Sequence, residues 1–120
     1  MKTIENHFGG PLQLARDVFE RITADSEKRN CLNIVEDLFA NPDEVWQLEL
    51  PEPPYAWRYV KFYQQGAFFG IVDIRRIDDL RIVDWYFLRH DPSSPEAAAQ
   101  AIAIDAQREG QLTHTKLTKG

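Results

Sequence analysis

Seven residues in the middle of the chain, Trp57 to Tyr63 (WRYVKFY), constrain the fold more than any other stretch. Aromatic and β-branched residues dominate them, which is the composition of a strand. Side chains alternate across a strand. Arg58, Val60 and Phe62 therefore share one face, and Trp57, Tyr59, Lys61 and Tyr63 share the other. A row of rings holding a cation is either the margin of a core or a surface on which bases stack and phosphates are held.

The flanking sequence extends this strand into an antiparallel meander. Gln65-Gly66 supplies a turn, Ala67 to Arg75 a second strand, Asp78-Asp79 another turn, and Leu80 to Leu88 a third strand. Connections this short join antiparallel neighbours. Asp73 and Arg75 share a face of one strand, and Asp84 and Tyr86 a face of the next. Alignment with Tyr59 and Lys61 would collect these charged and phenolic groups on one side of the sheet.

Upstream, Met1 to Gly10 lacks periodicity and reads as a lead-in that ends at Gly9-Gly10-Pro11. His7 within it reads as an exposed or capping residue, and catalysis would need it folded back onto the sheet. Leu12 and Leu14 suggest a short extended piece. Leu14, Val18, Phe19 and Ile22 then recur at helical spacing and predict a helix over 15–23. Asp25 or Ser26 can cap a second helix whose apolar stripe runs from Cys31 to Phe39. Asn41-Pro42 closes it, since proline disfavours helix in the residue before it. Pro42 followed by Asp43 and Glu44 predicts one further helical turn that aims Trp46 inward. Trp46, Leu48 and Leu50 alternate as a first strand, and Pro51, Pro53 and Pro54 make a stiff connection.

Downstream, Ser94-Pro95 marks a helix start. The alanine-rich run from Glu96 to Glu109 is helical, and Gly110 is placed to terminate it. Leu112 to Leu117 returns as an edge strand, and residues 117–120 form a loose tail. The expected fold is therefore α+β. N-terminal helices pack on a four- to five-stranded antiparallel sheet, with one helix inserted before the last strand. The 120 residues make one domain.

Composition narrows the partners. The net charge of −5 argues against a general nucleic-acid binder. Arg58, Lys61, Arg75, Arg76, Arg81 and Arg89 nevertheless crowd the middle third, which allows a positive groove on an acidic body. No run approaches the roughly 20 apolar residues of a membrane span, and no signal peptide is evident. A single cysteine, Cys31, lies among apolar neighbours and reads as a buried thiol. The expected setting is cytoplasmic, with no membrane partner.

Most chemistries find no purchase. His7, His90 and His114 are far apart in sequence and lack metal-ligand spacing. There is no phosphate loop and no nucleophile elbow, so no metal and no cofactor are expected. Metal-free acid–base chemistry on one sheet face remains. RNA cleavage through the 2′-hydroxyl needs a base, an acid and a cation to stabilise the phosphorane. Lys61, Arg58, Arg75 or Arg108 can supply the cation. Asp84, Tyr86 or His114 can supply acid or base.

Several strings occur together in a recognisable order: FGGPLQL, DVFERI, NPDEVW, RYVKFY, VDWYF and REGQL. Over about residues 8–115 the chain resembles phage-associated nuclease-like domains of the barnase–EndoU–colicin–RelE-like group. Such domains are found at the C-terminus of Mu F-like phage head morphogenesis proteins or as toxin modules. The resemblance implies a metal-independent ribonuclease fold and a toxin-like RNA cleavage. Arg58 and Lys61 match the group's basic positions in the central strand, and Arg108 and Gly110 match the Arg and Gly before the last strand. Two positions depart from it. Asp84 stands where Thr or Ser is common, and His114 where Tyr is frequent. The departures imply altered acid–base groups or a domain that keeps the fold without the activity. The expected partners are RNA, and a cognate immunity protein or a phage head protein, with a virion-associated location in the last case. The rival readings are a protein-binding module and an acidic antitoxin-like partner.

Overall fold

The structure is a computed structural model and describes residues 2–48, 55–76 and 78–115. The elements run β1 (Lys2–Glu5), β2 (Pro11–Leu14), α1 (Arg16–Thr23), α2 (Ser26–Arg29), α3 (Leu32–Ala40), β3 (Glu44–Leu48), β4 (Ala56–Tyr63), β5 (Gly66–Asp73), β6 (Arg81–Arg89), α4 (Ala97–Ala106) and β7 (Gln111–Thr115). Seven strands form one sheet in the order β1-β2-β6-β5-β4-β3-β7.

The expected sheet of four or five antiparallel strands is thus corrected in two respects. The lead-in holds a strand of its own, β1, which forms a hairpin with the expected extended piece, pairing Ile4 with Leu12 and Lys2 with Leu14. The sheet is also mixed, because β2 runs parallel to β6 at Gln13 and Arg81. The Gln13 N–H donates to the Leu80 carbonyl at 2.9 Å. The physical signal was short: Ile4, Leu12 and Leu14 are buried among exposed or half-buried neighbours, too few residues for periodicity to stand out.

The meander is as expected, with β4 antiparallel to β5 and β5 to β6. β5 is buried along nearly its whole length, so its sequence GAFFGIV shows no alternation. Helices α1–α3 cover the face that carries Tyr59, Phe68 and Trp85, where the main core also takes in Ile22, Leu38 and Phe39. Gly70 lets α3 sit this close. A Cβ there would lie 2.5 Å from Phe39 Cζ and 2.8 Å from Leu38 Cδ2. The opposite face holds a smaller cluster of Val60, Ala67 and Phe69, against which Trp46, Tyr86 and Ile104 of α4 pack.

Three local expectations are corrected. The long second helix is two, α2 and α3. The Lys28 carbonyl accepts from the Trp85 indole at 2.9 Å and from Cys31 N–H at 3.1 Å. That carbonyl no longer serves an unbroken α-helical ladder, and the chain turns at Asn30-Cys31. Cys31 is half-buried rather than buried, and its thiol pKa is raised by partial burial and then by Glu27. No helical turn precedes Trp46. Asp43 already pairs with β4, donating N–H to the Val60 carbonyl at 2.8 Å and accepting from Phe62 N–H at 2.7 Å, so the strand ladder begins at once. The proline connection and the C-terminal tail lie outside the described residues.

Candidate active site

Of the seven side chains singled out by sequence, Arg75 pairs with Asp73 on the surface at 2.6 Å, and the other six fall into five places. Lys61 lies on the face covered by α3. Its ammonium donates to the Asn41 carbonyl at 2.7 Å and pairs with Asp37 at 3.2 Å. Both partners belong to the end of α3, where a cation meets the carbonyl-rich helix terminus.

Arg58 and Tyr86 meet on the opposite face, beneath the end of α4. The Arg58 guanidinium donates to the Gln107 carbonyl at 2.7 Å, and the Tyr86 hydroxyl donates to Gln107 Oε1 at 2.7 Å. Glu109 stands 4.0 Å from Arg58. The Tyr86 phenol is raised in pKa by burial, against the lowering influence of Arg58. Lys61 and Tyr86 are therefore on opposite sides of the sheet, and the expected gathering of charges on one face does not form.

Arg108 forms a fork on Glu44, with Nε and Nη2 each 2.7 Å from a carboxylate oxygen. The Trp46 indole donates to the same carboxylate at 2.9 Å, and the Glu44 side chain is only 3% exposed. Asp84 binds Lys28 Nζ at 3.0 Å and accepts from Trp85 N–H at 2.8 Å. A β-bulge between β5 and β6 falls just before it in β6, where Ile71 faces Asp84 but Val72 faces Ile82.

His114 lies elsewhere, with a partner that sequence separation concealed. The tip of the β1–β2 hairpin folds back over the sheet. It brings the His7 ring to 4.8 Å from the His114 ring, 5.5 Å from Tyr59 and 6.3 Å from Trp57, centroid to centroid. Tyr59 anchors the tip by donating its hydroxyl to Asn6 Oδ1. Burial, opposed by that hydrogen bond, raises the Tyr59 phenol's pKa. Gly9, at φ 88°, makes the turn that an L side chain would resist.

The His7 imidazole is defined by its neighbours. Its Nδ1 is 2.8 Å from Asn6 Oδ1, which also accepts from the His7 backbone N–H. An amide oxygen can only accept, so Nδ1 carries the proton and Nε2 keeps its lone pair. Burial, then the charge of His114, lowers the His7 pKa to about 4. At neutral pH the ring is an uncharged base. Two buried N–H donors beside it, Asn6 Nδ2 and Trp57 Nε1, find no acceptor among the described residues. Buried donors are normally paired, and Arg58 Nε and the Tyr63 hydroxyl are likewise buried without a partner among the described residues. Phe8, 55% exposed, stands 6.0 Å from Trp57 and 5.2 Å from His7. Among the described residues no three potential metal ligands converge.

The sheet carries helices on both faces, and an imidazole pair sits beside a wall of rings at one place on it. The comparison with known families supplies the class. The chain belongs to the phage-Barnase-EndoU-ColicinE5/D-RelE like nuclease2 family, whose profile matches residues 1–115. No curated protein and no solved structure matches it. No described helix is long and apolar enough to cross a membrane.

Proposed function

We propose that this domain is a metal-independent endoribonuclease that cleaves RNA through the 2′-hydroxyl, with His7 and His114 as its acid–base pair. The observation that carries the proposal is the juxtaposition of the two rings, with His7 held neutral and its Nε2 unprotonated. His7 takes the 2′ proton, and the 2′-oxygen then bonds to phosphorus. His114 gives a proton to the 5′-oxygen as its bond to phosphorus breaks. The products are a 2′,3′-cyclic phosphate and a 5′-hydroxyl. Asn6 and Trp57 carry N–H groups without a partner among the described residues, and a shift that uncovers them would supply donors for the charge that grows on the phosphoryl oxygens. Phe8 and Trp57 offer faces on which a base can stack.

In this reading Arg58, Lys61, Asp84 and Arg108 hold the scaffold, since each is tied to a structural partner. The test is incubation of the purified protein with total RNA and with defined transfer RNAs in EDTA, beside His7→Gln and His114→Gln. Cleavage that survives EDTA, leaves cyclic phosphate ends and disappears in both variants is expected. Cleavage that persists in both histidine variants would move the chemistry to Arg58 and Tyr86. No cleavage by a folded sample at micromolar concentration would leave a binding module on a nuclease-like fold. One observation favours that second reading: α4 exposes an alanine-rich surface with Ile102 69% exposed, which suits a phage head or immunity protein as partner.

A further inference from the structure

β6 is covered on its outer edge for only half its length. In β4, Val60 O and Phe62 N–H point towards β3. The alternation of an antiparallel ladder then carries through the registers of β4, β5 and β6. Asp84, Tyr86 and Leu88 turn their backbone groups towards β5, and Trp85, Phe87 and Arg89 turn theirs outward. The first outward groups are engaged. Leu80 O accepts from Gln13, Val83 O accepts from Arg21 at 2.7 Å, and Trp85 N–H is capped by Asp84. From the Trp85 carbonyl onward nothing pairs with the edge. The outward N–H and C=O of Phe87 and the N–H of Arg89 have no hydrogen-bond partner among the described residues.

This open edge forms one side of a cavity of 480 Å³. The far side is α2 and the turn after it, with Asp25, Glu27 and Cys31, and Gln65 stands at the end. The edge thus faces a furrow with room beside it. Native proteins cover or charge such edges, and this one does so as far as Trp85 and then stops. The charge of the furrow selects among occupants. Its cations are engaged, Lys28 with Asp84 at 3.0 Å and Arg89 with Asp91 at 3.8 Å. Glu27 has no salt-bridge partner among the described residues. A phosphate backbone is disfavoured there, and a basic polypeptide is favoured.

We infer that the outer edge of β6 from Trp85 to Arg89 is a docking site for an extended, lysine- or arginine-bearing segment of another protein, which adds to the sheet as a strand. Main-chain hydrogen bonds to Phe87 and Arg89 hold the segment, and Asp25 and Glu27 receive its cations. This is strand addition at a sheet edge, in which backbone pairing supplies affinity and alternate side chains supply selectivity. The site is separate from the His7–His114 pair, so it stands whether or not the domain cleaves RNA.

The probe is a six-residue peptide of alternating Lys and Val, titrated into isotopically labelled protein and followed by amide NMR. Binding is expected to shift the Phe87 and Arg89 amides and slow their hydrogen exchange at least tenfold. N-methylation of the peptide on alternate residues should weaken binding at least tenfold, and Glu27→Lys severalfold. Arg89→Pro removes an outward donor while leaving the ladder to β5 intact, and it should also weaken binding. Shifts centred elsewhere, equal binding by the N-methylated peptide, or tighter binding of a glutamate-for-lysine peptide or of a single-stranded RNA at this edge would overturn the inference. A concentration-dependent dimer that Arg89→Pro abolishes would also overturn it, because the occupant would then be a second copy of this chain.

Discussion

Removing Arg108 should cost this domain a large share of its stability, and removing its partner with it should restore most of the loss. Glu44 sits on β3 with its side chain 3% exposed and takes two 2.7 Å hydrogen bonds from the Arg108 fork. Arg108→Ala leaves that carboxylate buried, with the Trp46 indole as its remaining side-chain donor among the described residues. Breaking a buried pair from one side costs about 3–5 kcal/mol, against a total of about 5–15 kcal/mol for a domain. Replacing both members by apolar groups of similar volume is often neutral. Glu44→Leu combined with Arg108→Met is therefore expected within about 1 kcal/mol of the parent. Urea unfolding followed by tryptophan fluorescence measures all three proteins, and Trp46 reports from within the network. A loss below about 1 kcal/mol for Arg108→Ala, or a double variant as unstable as the single one, would refute the assignment of Arg108 to the scaffold.

Other perturbations test neighbouring parts of the account. Gly70→Ala should destabilise by about 1–3 kcal/mol, because its methyl would collide with Phe39 and Leu38; an unchanged melting temperature would mean that α3 packs less tightly. Lys61→Ala should lower stability by about 1 kcal/mol while leaving RNA cleavage at the parent rate, and an inactive but equally stable variant would return Lys61 to the site. The His7 pKa of about 4 lies below its unfolded value of 6.5, so between these values the unfolded chain binds more protons. Stability is then full above pH 6.5 and falls as pH drops towards 4. For a ring only half-buried, solvent screening reduces the loss to about 1 kcal/mol, and comparison of His7→Gln with the parent at pH 7 and pH 4.5 isolates it. The acid limb of kcat/KM, which reports the free enzyme, should lie near pH 4; a limb near pH 6.5 that His7→Gln leaves unmoved would exclude His7 as the base.

What the sequence disclosed follows from how long each signal was. WRYVKFY and its two successors carry enough β-branched and aromatic residues to declare three paired strands, and the structure has them within a residue or two. The pattern also separated Arg58 from Lys61 correctly, because alternation within one strand needs no tertiary information. The same reasoning could not align faces across the meander, where Tyr86 proved to share the Arg58 side. β1 escaped notice, and β2 was legible only as a short extended piece at Leu12 and Leu14, because four residues are too few for a period to emerge. His7 was legible only as a conditional, since nothing local says that a Gly-Gly turn will fold a histidine across a sheet. The one available hint was the string FGGP, whose paired glycines permit the reversal that Gly9 makes.

The pairing of His7 with His114 also sets a time at which the domain can first act. Its two imidazoles come from near the two ends of the described chain, so the pair does not exist until β7 has docked against β3. Contacts this distant in sequence form late, because loop-closure entropy must be overcome first. A chain growing from its N-terminus carries His7 through the synthesis of every element up to β7 without the partner that completes the site. If the domain cuts RNA, the messenger and the transfer RNAs engaged in making it are exposed to a harmless polypeptide until the last strand is free to fold.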